Sequence, residues 1–177
     1  MKKTVLFFVF VLILTACSPS LPEPTGPFTV SSPAFTHEGT IPVENSCDGA
    51  STSPALAWTN APVDTKSYAL VMDDQDAMDF VHWVIFNIPA SATGLGAGLP
   101  LDTELEDGSL QGRNSTYVWG YLAPCPPMFG GDHRYVFTLY ALDTMLDLES
   151  SAIKKDLLAA MEGHILAETE LMGVFGH

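Results

Sequence analysis

The segment from Arg134 to Leu142 restricts the fold more than any other part of the chain. Along this segment both alternating sets of side chains are largely apolar: Tyr135, Phe137, Leu139 and Ala141 on one side, and Val136, Thr138, Tyr140 and Leu142 on the other. A strand that is apolar on both faces has to be covered on both faces. The segment therefore predicts a layered β domain in which this strand is central.

Shorter β-prone segments surround it in sequence, at residues 28–31, 55–58, 68–72, 81–88 and 165–174. One amphipathic segment, from about Ser151 to Glu162, predicts a helix that Ser150 or Ser151 caps and Gly163 ends. Many short strands with one or two short peripheral helices are typical of an all-β, antiparallel sandwich and not of alternating βαβ units.

The N-terminus has the pattern of an export signal. Lys2 and Lys3 precede an apolar run of ten residues, which is too short to span a bilayer, and the run leads to the sequence Leu-Thr-Ala-Cys. This ending resembles the bacterial lipobox and predicts a signal peptide over 1–16 with lipidation of Cys17. The Pro-rich residues 17–27 predict an extended tether, and residues 28–177 the domain.

Net charge excludes one class of partner. The formal charge of −14 becomes −16 once the two signal-peptide lysines are removed. So acidic a chain repels nucleic acid, which is bound through clustered Lys and Arg. It also repels anionic lipid, so membrane contact is expected through the lipid on Cys17.

Two cysteines remain in the domain, Cys47 and Cys125. In an exported chain an even pair is commonly oxidised, so a disulfide between them is expected. Two separate buried thiols fit the sequence as well, because spacing alone does not show whether the two side chains meet.

Two polar clusters lie where strand-like segments meet loops. Residues 73–77, Asp-Asp-Gln-Asp-Ala, are followed by His82-Trp83, and Cys125-Pro126-Pro127 is followed by His133-Arg134-Tyr135. Loops held by a rigid sheet are where binding sites are commonly built. The clusters together predict a small polar cleft.

These clusters, with Cys47-Asp48-Gly49, Gly112-Arg113-Asn114 and residues 160–167, resemble the phosphatidylethanolamine-binding protein family, in particular its bacterial Raf-kinase-inhibitor-like branch. The resemblance implies a Greek-key β-sandwich with a small anion-accepting pocket. Because the sequence has no His-Glu-x-x-His element, no Gly-x-Ser-x-Gly elbow and no Gly-rich phosphate loop, no catalytic residue, metal or cofactor is expected. The ligand-binding residues that the resemblance implies are Asp74, Asp76, His82, Pro126, Pro127, His133 and Tyr135. Gln75 and Met78 stand where the family motif has prolines, so a looser loop around Asp74 is expected.

Two histidines and a phenol can donate hydrogen bonds to a phosphate, and Asp74 could orient either His82 or His133. A phosphoethanolamine-like headgroup is the expected ligand, with binding that weakens as rising pH deprotonates the histidines. The resemblance also implies a regulator or inhibitor of a protein partner, here in the cell envelope.

Two alternatives remain: a hydrolase or metal-dependent enzyme that uses the same His/Asp cleft, and an interaction protein whose pocket is vestigial. Because Ser18 and not Asp follows Cys17, the outer membrane facing the periplasm is the expected location. The oligomeric state, including a dimer, is left open.

Overall fold

The computed structural model describes residues 24–78 and 80–177. The predicted signal peptide, Cys17 and most of the predicted tether lie outside the described residues. Nine strands are present in them: β1 (Thr29–Ser31), β2 (Gly39–Thr40), β3 (Leu56–Thr59), β4 (Ser67–Asp74), β5 (Phe80–Pro89), β6 (Gly94–Leu95), β7 (Leu110–Gln111), β8 (His133–Leu142) and β9 (Ile165–Phe175). One α-helix, α1 (Lys154–Met161), and one short 3-10 helix (Val43–Asn45) complete the described elements.

The strands form two sheets, which confirms the predicted all-β class. The small sheet has the order β1-β3-β6, and the large sheet has the order β2-β9-β8-β4-β5-β7. Strand β8 returns to pair with β4, so the spatial order β8-β4-β5-β7 is that of a Greek key. The short pairing of β2 with β9 is parallel, which the prediction of a purely antiparallel sandwich did not include.

The large sheet is covered on both faces, as the pattern of residues 134–142 predicted. Tyr135, Phe137 and Leu139 of β8 belong to a core cluster that includes residues of the small sheet, such as Val30 and Trp58. The opposite face carries a second cluster, which contains Val71, Val84 and Phe86 of the sheet together with Leu157 and Met161 of α1. Helix α1 therefore takes the place of a second covering sheet.

The helix is shorter than predicted. It begins at Lys154, not near Ser151, and neither Ser150 nor Ser151 caps it. Ile153 is the N-cap residue, and its main-chain N–H donates to the Asp156 carboxylate at 3.1 Å. Gly163 has a left-handed backbone (φ 81°) one residue after the C-cap, as the prediction of a glycine stop requires.

All residues of the two core clusters lie at Phe28 or later in the chain. The described residues by themselves form two hydrophobic core clusters, which supports the use of residues 24–177 as an isolated fragment in solution experiments. Within the described part of the chain, no helix has the length and apolarity needed to cross a bilayer.

Candidate functional site

A cavity of about 500 Å³ lies where the ends of β4, β5 and β8 meet the loop 122–127. All seven residues predicted to bind ligand line this one cavity: Asp74, Asp76, His82, Pro126, Pro127, His133 and Tyr135. Asp74 ends β4 and is paired with Tyr135 of β8, while His82 comes from β5 on the other side of β4. Antiparallel pairing thus brings together residues that are about 60 positions apart.

The shortest contact in the cavity joins His133 and Asp74. The Nδ1 atom of His133 lies 2.7 Å from Oδ2 of Asp74, and the two side chains are only 12% and 5% exposed. Oδ1 of the same carboxylate accepts the main-chain N–H of Asp76 at 2.9 Å. Because Asp74 is an acceptor, Nδ1 of His133 carries the hydrogen, and Nε2 makes no hydrogen bond to any described residue.

His82 is held differently, and this decides which histidine Asp74 orients. Its Nδ1 donates to the main-chain carbonyl of Leu122 at 2.8 Å, so Nε2 is again left open among the described residues. Burial lowers the pKa of His82, and the hydrogen bond to Leu122 and the charge of Asp74 offset this only in part. Of the two histidines that Asp74 could orient, the structure thus places His133 on the carboxylate, and burial favours the neutral form of His82.

Tyr135 forms the floor of the cavity. Its ring is fully buried and lies edge-on to His82, with 5.1 Å between the ring centroids. Burial and the neighbouring Asp74 carboxylate raise the pKa of the phenol, so it remains a hydrogen-bond donor at all physiological pH values. The Asp74 carboxylate interacts with this hydroxyl, but no described group makes a hydrogen bond of good geometry to it.

The acidic loop is attached to β8 through Arg134. Oδ1 and Oδ2 of Asp76 accept hydrogen bonds from the Arg134 guanidinium at 2.8 and 3.0 Å, and Oδ2 also accepts from its main-chain N–H at 2.8 Å. These bonds lower the pKa of Asp76 to about 2. The N–H of Gln75 donates to the Arg134 carbonyl at 2.9 Å, a bond that a proline could not make.

The second wall is formed by Pro126 and Pro127, next to Cys125. The structure places a disulfide between Cys125 and Cys47, whose Cα atoms are 5.3 Å apart. His177 lies beside this disulfide and is within 3.1 Å of Asp48. In the described residues this is the one group of three close metal-ligand side chains, but its two sulfurs are already bonded to each other.

Several lining residues were missed by sequence reasoning. Phe80 lies on the same face of β5 as His82, with 5.2 Å between the ring centroids. Its spacing of two from His82 was a usable signal. Leu122 and Ala123 were missed as well, and the Leu122 carbonyl that positions His82 could not be recognised, because every residue has a carbonyl.

The cavity is therefore equipped to bind a small group with both acceptor and donor atoms. The phenol of Tyr135 donates, Nε2 of neutral His82 accepts, and Nε2 of His133 donates whenever that ring is protonated. Each imidazole has its Nδ1 occupied, which fixes its orientation towards the ligand space.

Comparisons with known proteins agree with this architecture. The family model described as phosphatidylethanolamine-binding protein matches residues 31–176, and a prokaryotic membrane lipoprotein lipid attachment site matches residues 1–18. A UPF0098 protein of Methanothermobacter thermautotrophicus is 52% identical over 144 residues, which cover 80% of this chain and 94% of the relative. A UPF0098 protein of Chlamydia muridarum is 37% identical over 153 residues, with 82% and 97% covered.

Two solved structures are similar throughout the domain. One is a homolog of phosphatidylethanolamine-binding protein from Chlamydia trachomatis, with a TM-score of 0.76 and 34% identity over 85% of this chain and 97% of that one. The other is Escherichia coli YbcL, described as a member of the mammalian family of these proteins. It has a TM-score of 0.79 and 30% identity over 85% of this chain and 98% of that one.

Proposed function

Because the chain belongs to the phosphatidylethanolamine-binding protein family, we propose that it is an exported, lipid-anchored binding protein whose cavity takes a phosphate or phosphoethanolamine-like group. The match to a lipid attachment site supports the anchor. The geometry of the cavity supports the ligand class.

One observation carries the ligand proposal: two imidazoles line one cavity with their Nδ1 atoms occupied and their Nε2 atoms open. His133 is oriented by a buried carboxylate and His82 by a main-chain carbonyl. Such fixed rings lose little freedom when they bind a ligand. A buried phenol without a well-formed hydrogen bond lies beside them, and an acceptor from a ligand would satisfy it.

A singly protonated phosphate matches these three groups. Its oxygens accept hydrogen bonds from Tyr135 and from protonated His133, while its P–OH donates to Nε2 of neutral His82. The ammonium of a phosphoethanolamine-like ligand would be attracted by Asp74 and by the acidic surface of the chain, whose net charge is −14. Binding to phosphate is expected to weaken with rising pH, because an imidazole that loses a proton loses a hydrogen-bond donor.

Location follows from the anchor. We propose that Cys17 is the lipidated N-terminus, that residues 17–27 tether the domain, and that the protein faces the periplasm from an outer membrane. Since one acyl chain anchors weakly, further acylation of the same residue is expected. Replacing Cys17 with Ala should release the protein from the membrane fraction, and continued retention there would contradict the lipid anchor.

For a partner, we propose an envelope protein that the domain regulates or inhibits, with the ligand in the cavity as the controlling signal. The proposal excludes nucleic acid because of the acidic charge. A pull-down with immobilised domain, with and without phosphoethanolamine, tests whether partner capture depends on the cavity.

The ligand proposal is tested by thermal unfolding of the soluble domain, residues 24–177, with phosphate, phosphoethanolamine or EDTA. A ligand that binds only the folded state raises the melting temperature. Both phosphate compounds should raise it, and His133→Ala should abolish the increase. The matched control is His164→Ala, since His164 is also paired with a carboxylate, Asp143, but outside the cavity.

Three outcomes would contradict this proposal. Unchanged melting with both anions but destabilisation by EDTA would indicate a metal-dependent protein. Hydrolysis of a phosphate ester that stops in His133→Ala would indicate an enzyme. Partner capture that survives His133→Ala, without any anion effect, would indicate an interaction protein with a vestigial pocket.

A further inference from the structure

A second cavity, of about 450 Å³, lies on the other face of the large sheet, where β5 meets the start of α1. Its lining combines apolar and cationic side chains, principally Val81, Arg113, Tyr117, Ile153, Lys155 and Leu158. We refer to it as the cationic groove. Among the described residues that line it, there is no Asp or Glu.

The charge of the groove is opposite to that of the molecule. Only five Lys and Arg residues follow Cys17 in a chain of net charge −14, and three of them, Arg113, Lys154 and Lys155, line this groove. Lys154 is neutralised by Asp73, which lies 2.7 Å from its Nζ. Neither Arg113 nor Lys155 makes an ion pair with any described residue, so two positive charges remain available.

The Arg113 side chain packs against Trp119, but its Nε–H has no hydrogen-bond acceptor among the described residues. Its guanidinium carbon lies 4.9 Å from the centre of the Trp119 ring. This is a cation–π geometry, which restricts the position of the guanidinium group. Its Nε atom is buried and makes no hydrogen bond within the described part of the chain. A buried donor without an acceptor costs free energy, which a bound anion would remove.

The start of α1 adds a further unused donor. The N-cap residue is Ile153, whose side chain cannot accept a hydrogen bond. The parallel bridge between Ile153 and Arg113 engages the main-chain N–H of Lys154, so the main-chain N–H of Lys155 is the one without an acceptor among the described residues. The first two residues of the helix are lysines, and the carboxylate of its first turn, Asp156, is engaged by the Ile153 N–H. The cations and the open N–H of Lys155 therefore favour an anion at the same place.

The apolar part of the groove selects among anions. Tyr117, Leu158 and Ile153 are 69%, 38% and 36% exposed, and they lie beside the cations. A bare phosphate or sulfate would leave these side chains in water, whereas an alkyl chain would cover them. A cavity of this volume suits a small molecule. A stable interface with another protein would instead bury more than about 1,000 Å² of surface.

We propose that the cationic groove binds a single-chain anionic amphiphile, such as a long-chain carboxylate. The head group lies against the side chains of Arg113 and Lys155 and the main-chain N–H of Lys155. The alkyl chain lies along Val81, Tyr117 and Leu158. This site is separate from the His/Asp cavity, because Val81 and His82 are adjacent on β5 and face opposite sides of the sheet.

Isothermal titration of the soluble domain with monomeric dodecanoate tests the proposal, with dodecanol as the neutral probe. Dodecanoate should bind, and dodecanol should bind at least about tenfold more weakly, since one charge-assisted hydrogen bond contributes about that much. Lys155→Glu should weaken dodecanoate binding at least about tenfold. The matched control, Lys66→Glu, changes an exposed lysine outside the groove and should leave affinity within about twofold.

A second variant covers the apolar wall: Leu158→Gln should weaken dodecanoate binding while the melting temperature of the free domain stays near that of the wild type, because Leu158 is on the surface. His133→Ala should leave dodecanoate affinity unchanged.

The proposal is overturned if dodecanoate does not bind at about 1 mM, if Lys155→Glu and Lys66→Glu behave alike, or if His133→Ala removes binding. Binding only to phosphatidylglycerol vesicles, lost in Lys155→Glu, would overturn it in favour of a membrane-surface patch.

Discussion

The two cavities on either side of β5 are built on opposite principles. In the His/Asp cavity every charge is already engaged: Asp74 with His133, and Asp76 with Arg134. In the cationic groove Arg113 and Lys155 have no ionic partner among the described residues. The first site is a network of mutually fixed groups, and the second is a set of open donors beside exposed apolar side chains.

The two sites differ in how far their side chains are held in one orientation before a ligand binds. Side chains whose other atoms are hydrogen-bonded keep one orientation, so they bind a small polar ligand at low entropic cost. The groove has few such restraints and depends on charge and apolar contact, which tolerate variation in the ligand. We therefore expect narrow selectivity in the His/Asp cavity and broad selectivity in the cationic groove.

Removal of the disulfide should have the largest effect on stability and should separate the two sites. Cys47 and Cys125 are 78 positions apart, and a bridge over a loop of this length stabilises by about 4 kcal/mol. Cys47→Ser with Cys125→Ser should lower the free energy of unfolding by about that amount in urea titrations. Phosphate binding should weaken, since the Pro126 wall lies next to Cys125, while dodecanoate binding persists. A loss below about 1 kcal/mol would contradict this.

The second largest loss in the free energy of unfolding is expected for Asp74→Asn. The amide can accept a hydrogen bond only through its oxygen, so either His133 Nδ1 or the N–H of Asp76 loses its acceptor in a buried position. The expected loss is about 2 kcal/mol, measured by urea unfolding. As a control, Asp143→Asn breaks the exposed pair with His164, whose side chains are 43% and 47% exposed, and should cost less than about 0.5 kcal/mol. An equal loss in the free energy of unfolding for both variants would show that the buried Asp74–His133 pair contributes no more than the exposed Asp143–His164 pair.

A smaller effect should appear when pH is lowered. Burial places the pKa of folded His82 below its value in the unfolded chain, so the unfolded state binds the proton more readily. The contribution of His82 to stability is therefore complete above the unfolded pKa and is lost as pH falls towards the folded one. The slope cannot exceed about 1.4 kcal/mol per pH unit for one group.

Unfolding free energies of the wild type and of His82→Asn between pH 7.5 and 5.5 measure this slope. The Asn amide can still donate to the Leu122 carbonyl, but it does not titrate. The variant should lose less stability than the wild type over this range. Parallel curves would show that His82 has no depressed pKa.

The smallest effect is expected at Met78, beside the His/Asp cavity. This residue is 99% exposed and has a left-handed backbone (φ 51°), which glycine adopts without strain. Met78→Gly should raise the free energy of unfolding by up to about 1 kcal/mol. Met128→Gly, at an exposed position whose φ is not positive, should lower it instead. A loss in both variants would contradict the strain at Met78.

Much of the architecture could be predicted because it depends on local pattern. The apolar alternation of 134–142 identified the central strand, and the quoted motifs identified the lining of the His/Asp cavity. The helix start was wrong by three residues, because the serines at 150 and 151 do not reach the helix amides and Asp156 bonds the Ile153 N–H instead. The parallel pairing of β2 with β9 could not be predicted, because the two residues of β2 are too few to show a strand pattern in the sequence.

Periodicity and motifs are local properties, so they were enough to predict an all-β domain, its segment order and the residues that could form one polar cavity. The folded chain was needed to show that Asp74 orients His133, that the Leu122 carbonyl holds His82, and that Arg113 and Lys155 line the same second cavity. These depend on main-chain groups common to all residues and on contacts between positions about 40 to 60 residues apart. Such contacts are fixed by strand pairing and helix packing, which no single segment encodes.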